Sequence, residues 1–271
     1  MARFLALCCA ALSAGCLTID AVIAVHPDGI GSVTYTLFLK STTIESLEKF
    51  AQTRQDRSEA GGWKDFFSEA KWRGAAATMG EGVTFKSLQR VKKRGWEGVA
   101  VVYLFSDISK LTLKMGFPSV MSLTEPAPSA ETLTFRFAPA AAEPARLTIV
   151  MPPYRTVLEG SGSSSSETDG ASGRNAAVMA RFRSVLDGFR ASVVVDVNGP
   201  IVRTDADDVS GSKVPVLSVD FNEMMSGGAD FGLFGVAIDG PLPADIREKL
   251  KTTGGLTMQV APEVNVEFGR R

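Results

Sequence analysis

The stretch GVTFKSLQRVKKRGWEGVAVVYLFSD, residues 82–107, most constrains what this chain can fold into. Two runs rich in β-branched and aromatic residues flank a basic tetrad that ends in glycine, the pattern of two strands joined by a tight turn. In the second run Val99, Val101 and Tyr103 alternate with Ala100, Val102 and Leu104, so both faces are apolar. Such a strand belongs inside a sheet. The tip carries Lys92, Lys93 and Arg94. Charges at a hairpin end read first as a solvated turn, with phosphate or headgroup contact as the alternative.

The same grammar recurs along the chain. LTIDAVIAVHPDGIGSVTYTLFL predicts a hairpin, with strands near 17–26 and 32–40 and a turn at HPDG. In ETLTFRF, Leu133, Phe135 and Phe137 oppose Thr132, Thr134 and Arg136, and ARLTIVM follows as a partner strand. ASVVVDV and VPVLSVDF are further strands, and LTMQVAPEVNVEFGRR reads as a strand or an extended segment.

Helical periodicity is rarer. It appears at Ile44, Leu47, Phe50 and Ala51, and again in the aromatic group Trp63, Phe66, Phe67, Ala70 and Trp72. The stripe Val178, Phe182, Val185, Leu186 and Phe189 marks the strongest helix, within 174–189, and PADIREKLKTTGG a last one. The expected fold class is therefore α+β, an antiparallel or mixed sheet with helices packed on one face. The Trp63–Trp72 aromatics read as core, or alternatively as the wall of a lipid or ligand site. The Ser/Gly-rich segment 159–173 reads as a flexible loop within one domain over 16–271, or as a linker between two domains.

Composition removes several chemistries. Basic residues number 29 and acidic residues 30, so there is no general basic field and nucleic acid is not an expected partner. The single histidine, His26, sits beside Pro27, and the three cysteines, Cys8, Cys9 and Cys16, all lie at the N-terminus. Zinc, iron–sulfur clusters and thiol catalysis are not expected. Asp205, Asp207 and Asp208 on one loop raise calcium, but the sequence lacks the glycine and terminal glutamate of an EF-hand loop. An ordinary polar turn is expected there. Dinucleotide and P-loop fingerprints are missing. No metal, cofactor or catalytic residue is assigned, and the chain is not expected to be an enzyme. The remaining enzymatic alternative, an envelope hydrolase with two carboxylates, has no spacing that selects a pair.

What the N-terminus offers is an address. MARFLALCCAALSAGC places Arg3 before an apolar run from Phe4 to Leu12 and small residues at 13–15, the layout of a signal peptide over 1–15. Cys16 directly after Leu-Ser-Ala-Gly resembles the lipobox of bacterial lipoproteins, which implies cleavage before Cys16 and its acylation by groups such as palmitate. Leu12 stands four before the cysteine, where lipoboxes usually place the aliphatic residue three before it. Ordinary cleavage near Ala14, leaving a free thiol, and an apolar strand or helix retained in the protein are the competing readings. Loss of 1–15 removes one basic residue, Arg3, and no acid, leaving 28 basic against 30 acidic. Such a domain has no overall charge attraction to anionic lipid.

The order of these features is similar to that of the LppM-like envelope lipoproteins. The cysteine leads into a strand, PDG and a second strand. TLTFRF, ARLTIVMP, LDGFRASVVVDVNGPIV, TDADD and VLSVDF follow. The resemblance implies a mixed α/β extracytoplasmic domain with a lipid- or glycolipid-binding role and no catalysis, and it carries over no functional residues. Members can end in a membrane helix, whereas this sequence ends in VNVEFGRR. The expected function is a lipid-anchored envelope module for binding or assembly, with lipid, another apolar ligand or envelope proteins as partners. A structural lipoprotein with no small ligand is the alternative. Leu17 rather than Asp after the cysteine favours, by resemblance to Gram-negative lipoproteins, the periplasmic face of the outer membrane.

Overall fold

The computed structural model describes residues 17–45, 67–114, 132–139, 144–152, 187–227 and 243–269. Cys16, Trp63, the segment 159–173 and all but the end of the helix expected at 174–189 lie outside the described residues.

Twelve strands carry the described fold. They are β1 (Leu17–Val25), β2 (Gly31–Lys40), β3 (Thr84–Lys93), β4 (Trp96–Phe105), β5 (Thr112–Lys114), β6 (Thr132–Ala138), β7 (Ala145–Val150), β8 (Arg190–Val197), β9 (Ile201–Thr204), β10 (Lys213–Asp220), β11 (Leu256–Met258) and β12 (Glu263–Phe268). They form two sheets. One has seven strands in the order β11-β10-β8-β1-β2-β4-β3; the other has five, β5-β6-β7-β12-β9. The class is α+β, with strand predominating. The larger sheet is mixed, because β1 pairs antiparallel with β2 and parallel with β8. In the smaller sheet all pairs are antiparallel.

The alternation seen in the sequence explains how the larger sheet faces its core. Leu17, Ile19, Ala21, Ile23 and Val25 on β1 are all buried. Register places them beside Leu39, Leu37, Tyr35, Val33 and Gly31. Across β4 the row continues through Val99, Val101, Tyr103 and Phe105. These side chains join Leu133, Phe135, Leu147, Ile149, Val264, Val266 and Phe268 of the smaller sheet in one apolar cluster. Near Val25 the inner face is thus covered by a second sheet, where the sequence had suggested helices. The β1–β2 turn seals the junction. Gly29 adopts φ 86°, and a Cβ there would stand 2.7 Å from the Phe137 ring on β6. The backbone N–H of Asn198 donates to Val25 O at 2.7 Å, and that of Ile108 to Gly29 O at 2.9 Å.

The described helices are short. Helix α1 (Glu69–Ala75) lies over the same inner face: Tyr103 on β4 donates its hydroxyl to Trp72 O at 2.7 Å. Helix α2 (Phe221–Ser226) follows β10 directly, its first N–H groups capped by the Asp220 carboxylate through Asn222 N and Glu223 N. Helix α3 (Ala244–Thr252) carries Asp245 in its first turn and Lys249 and Lys251 in its last, which suits the helix dipole. With β10 and β11 these two helices form a small second cluster around Val219, Met224, Leu250 and Leu256.

Phe268 is fully buried where the sheets meet, whereas Val202 on β9 is 62% exposed. Phe268→Ala is expected to cost about 3–5 kcal/mol, and Val202→Ala less than about 0.5 kcal/mol. Urea unfolding of the two variants checks this; equal midpoints would contradict the shared core.

Candidate functional site

Three places gather polar or aromatic chemistry. The first is the end of the larger sheet where β1 begins. Leu17 pairs with Leu39, and one step further out Lys40 pairs with Trp96, which in turn pairs with Lys93. Lys40 Nζ lies 5.6 Å from the Trp96 ring centroid, and Lys93 Nζ lies 4.7 Å from that of Phe38. The Arg94–Gly95 turn closes the β3–β4 hairpin. Gly95 holds φ 75°, a left-handed conformation that a Cβ would oppose. Its carbonyl accepts a hydrogen bond from Ser41 N at 3.0 Å, tying the tip to the end of β2. Lys92 pairs with Glu97 at 3.1 Å.

On the inner side of this end lies a shallow apolar recess, open to solvent and enclosing only about 10 Å³, lined by Leu17, Leu37, Leu39, Phe67, Glu97, Gly98 and Val99. Small-molecule sites usually enclose about 300–1,000 Å³. Further along the same face the aromatics interlock. Tyr35 stands 6.3 Å from Trp72 and 6.1 Å from Tyr103, and Phe85 6.0 Å from Tyr103. Arg73 covers the Phe85 ring at 4.5 Å. Burial pushes the Tyr103 phenol from its ordinary 10.0 up to about 12. Tyr35 is raised further, by burial first and then by the neighbouring Tyr103. Both stay protonated at neutral pH, so Tyr103 serves as a donor, both serve as packing groups, and neither serves as a base. Trp72 is partly buried and packs against the apolar core; Trp63 and Phe66 of the same expected group lie outside the described residues, and Ala70 is exposed.

The third place is the acidic loop after β9. Asp205 accepts from the backbone N–H of Asn265 at 2.6 Å and from its side-chain amide at 2.8 Å. Burial acts to raise this carboxyl, but the Asn265 bonds and nearby Arg203 together outweigh it and hold the group below its usual range. Asp207 pairs with Lys251 on α3 at 2.6 Å. Its backbone N–H donates to Gln259, whose amide donates in turn to Pro215 O at 2.8 Å. Gln259 is only 2% exposed. These acids fasten β9 to β12 and α3. Among the described residues no group of three histidines, cysteines or acids has the geometry to hold a metal ion. His26 lies in the β1–β2 turn with its Nδ1 2.8 Å from Asn198 Nδ2.

Sequence reasoning identified Lys92, Lys93, Arg94 and the strand start at Leu17 separately. It missed that Lys40, Phe38 and Trp96 join them. The signal was available in the predicted hairpins, since Lys40 closes one strand and Trp96 opens another.

No protein-family model matches this sequence, and no curated protein matches it. Among solved structures, the NMR structure of the folded domain of LppM from Mycobacterium tuberculosis aligns at 11% identity and a TM-score of 0.29, covering 77% of this chain and 84% of that one. This is a weak structural resemblance and carries no argument about function. No helix among the described residues is long and apolar enough to cross a membrane.

The tyrosines give a pH prediction. The unfolded chain releases the Tyr103 proton near the ordinary 10.0, while the folded protein keeps it to about 12. Across that window the unfolded state binds fewer protons, so stability falls as pH rises. Tyr103→Phe is expected to cost about 1 kcal/mol at neutral pH and to flatten part of the alkaline decline, with Tyr35 supplying the rest. Denaturant midpoints measured from neutral to alkaline pH check it; an unchanged alkaline slope in the variant would contradict it.

Proposed function

We propose that this chain is a lipid-anchored cell-envelope lipoprotein acting as a binding or assembly module. The observation that carries the reading is the junction at Cys16. A lipobox-like cysteine is followed at once by Leu17, which is already buried and paired in β1. A soluble domain whose first strand starts at an acylated residue is held against its membrane without a spacer. Two or more acyl chains make such attachment stable, where one chain alone binds marginally.

Among the described residues the partner is better read as a surface than as an enclosed small molecule. The recess beside Leu17 is below the usual size of a ligand site, and the Tyr35–Trp72–Tyr103 cluster is packed against itself. Among the described residues this favours a partner-binding or structural lipoprotein with no small ligand as one form of the proposal, with a bound lipid as the other. Leu17 in place of Asp supports the periplasmic face of the outer membrane where the cell has one. No catalytic step belongs to this reading.

Mass spectrometry of the processed N-terminus is expected to find Cys16 as the first residue with acyl chains attached. Cys16→Ser is expected to remove the acyl chains and prevent stable anchoring of the processed domain in the membrane fraction. An unmodified cysteine, or cleavage elsewhere, would overturn the anchor. A lipid copurifying in equal amount with the folded domain would favour the ligand-binding form.

A further inference from the structure

We propose that the corner formed by Lys40, Lys92, Lys93, Arg94 and Trp96 is a membrane-docking surface for anionic phospholipid headgroups, in the membrane that holds the anchor. The proposal rests on the lipid-anchor reading for its geometry. Three observations carry it.

The first is position. Antiparallel pairing runs without interruption from Leu17↔Leu39 to Lys40↔Trp96 and Lys93↔Trp96. The basic tip and the residue that follows Cys16 therefore share one end of one sheet. The opposite end of β1, at Val25, is occupied by the junction with the smaller sheet. A tether at Cys16 turns the tip toward the bilayer and the second sheet away from it.

The second is chemistry. The chain as a whole is near neutral, yet this corner gathers three lysines and an arginine, with Glu97 offsetting Lys92. The remaining lysines lie over aromatic rings, Lys40 over Trp96 and Lys93 over Phe38. An amphipathic indole beside ammonium groups on long apolar stems suits the boundary between headgroups and acyl chains. At the β8–β10 side of the same sheet end, Arg190 is paired with Asp220 at 2.7 Å, so among the described residues the positive charge is concentrated on the β2–β4–β3 side.

The third is rigidity. The β3–β4 hairpin is paired from Thr84↔Leu104 to Lys93↔Trp96, and Ser41 N holds the turn carbonyl of Gly95. The side chains are presented on a fixed platform, so little backbone ordering is lost on docking.

The test uses the protein as processed by the cell. The mass of its N-terminus is read first and reports on the anchor alone. The protein is then reconstituted into vesicles of phosphatidylcholine, with or without phosphatidylglycerol, that carry bromine-labelled acyl chains. Tryptophan quenching is compared for the parent, Trp96→Phe and Lys92→Glu/Lys93→Glu/Arg94→Glu. The expected result is extra quenching with phosphatidylglycerol that both variants lose. If circular dichroism shows the triple variant unfolded, Arg94→Glu at the exposed turn replaces it and is expected to lose part of the extra quenching. Should the N-terminus prove unacylated, the same proteins are sedimented with the same vesicles. Binding is then expected to fall by about fivefold per basic residue removed. Quenching equal in both lipids, quenching indifferent to charge reversal, or sedimentation unchanged in the variants would overturn the docking surface.

Discussion

The structure depends on β1 being laddered on both edges. Antiparallel pairing with β2 and parallel pairing with β8 set β1 inside the larger sheet, and every odd-numbered residue from Leu17 to Val25 points into the core. Between them lie Thr18, Asp20, Val22 and Ala24, short side chains that suit the other face. A slip of one residue would bring Asp20 inward and expose the aliphatic row. Asp20 also accepts the Ser192 hydroxyl at 2.6 Å, a bond that favours the observed register of β8 on β1. Among the described residues, the β2–β4–β3 half and the β8–β10–β11 half of the sheet are laddered together through this strand.

The local elements were largely legible, because the core selects one face of each strand and leaves a period of two. Strands near 17–26 and 32–40 appear as Leu17–Val25 and Gly31–Lys40, and the alternation of Leu133, Phe135 and Phe137 marks the inner side of β6. The short final helix appears as Ala244–Thr252. What periodicity cannot carry is which strands pair across long stretches of chain. The parallel union of β1 with β8 joins residues 172 apart in sequence, as Asp20 and Ser192 are, and the division into two sheets follows from such unions. Two of the smaller sheet's strands escaped notice for a simpler reason. Ile201–Thr204 and Thr112–Lys114 are too short to display a period, and Pro200 before the first reads as loop.

The candidate site was less legible than the fold. The acidic loop looked like chemistry in the sequence, yet its carboxylates are engaged in holding Asn265 and Lys251. The Trp72 aromatics likewise looked able to line a ligand site and are packed around Tyr103. The basic tip read first as a solvated turn, and Lys92, Lys93 and Arg94 are exposed there; register adds Lys40 and Trp96 beside them. Charge counted over a whole chain averages away a cluster that only strand pairing assembles. A near-neutral total is therefore weak guidance about any one corner of a sheet.

The start of β1 has a mechanical consequence. Were Cys16 acylated as proposed, a tether there would pull on β1 along its own length. Because that strand is bonded to β2 on one side and β8 on the other, lengthwise load is shared by both ladders in shear. Hydrogen bonds loaded side by side must give way together, whereas those at a peeled edge open one after another. Under the proposed anchor, the same strand that organises the core would bear the tension between membrane and domain. A pull along that axis would be met by the direction in which the ladders of the sheet share load.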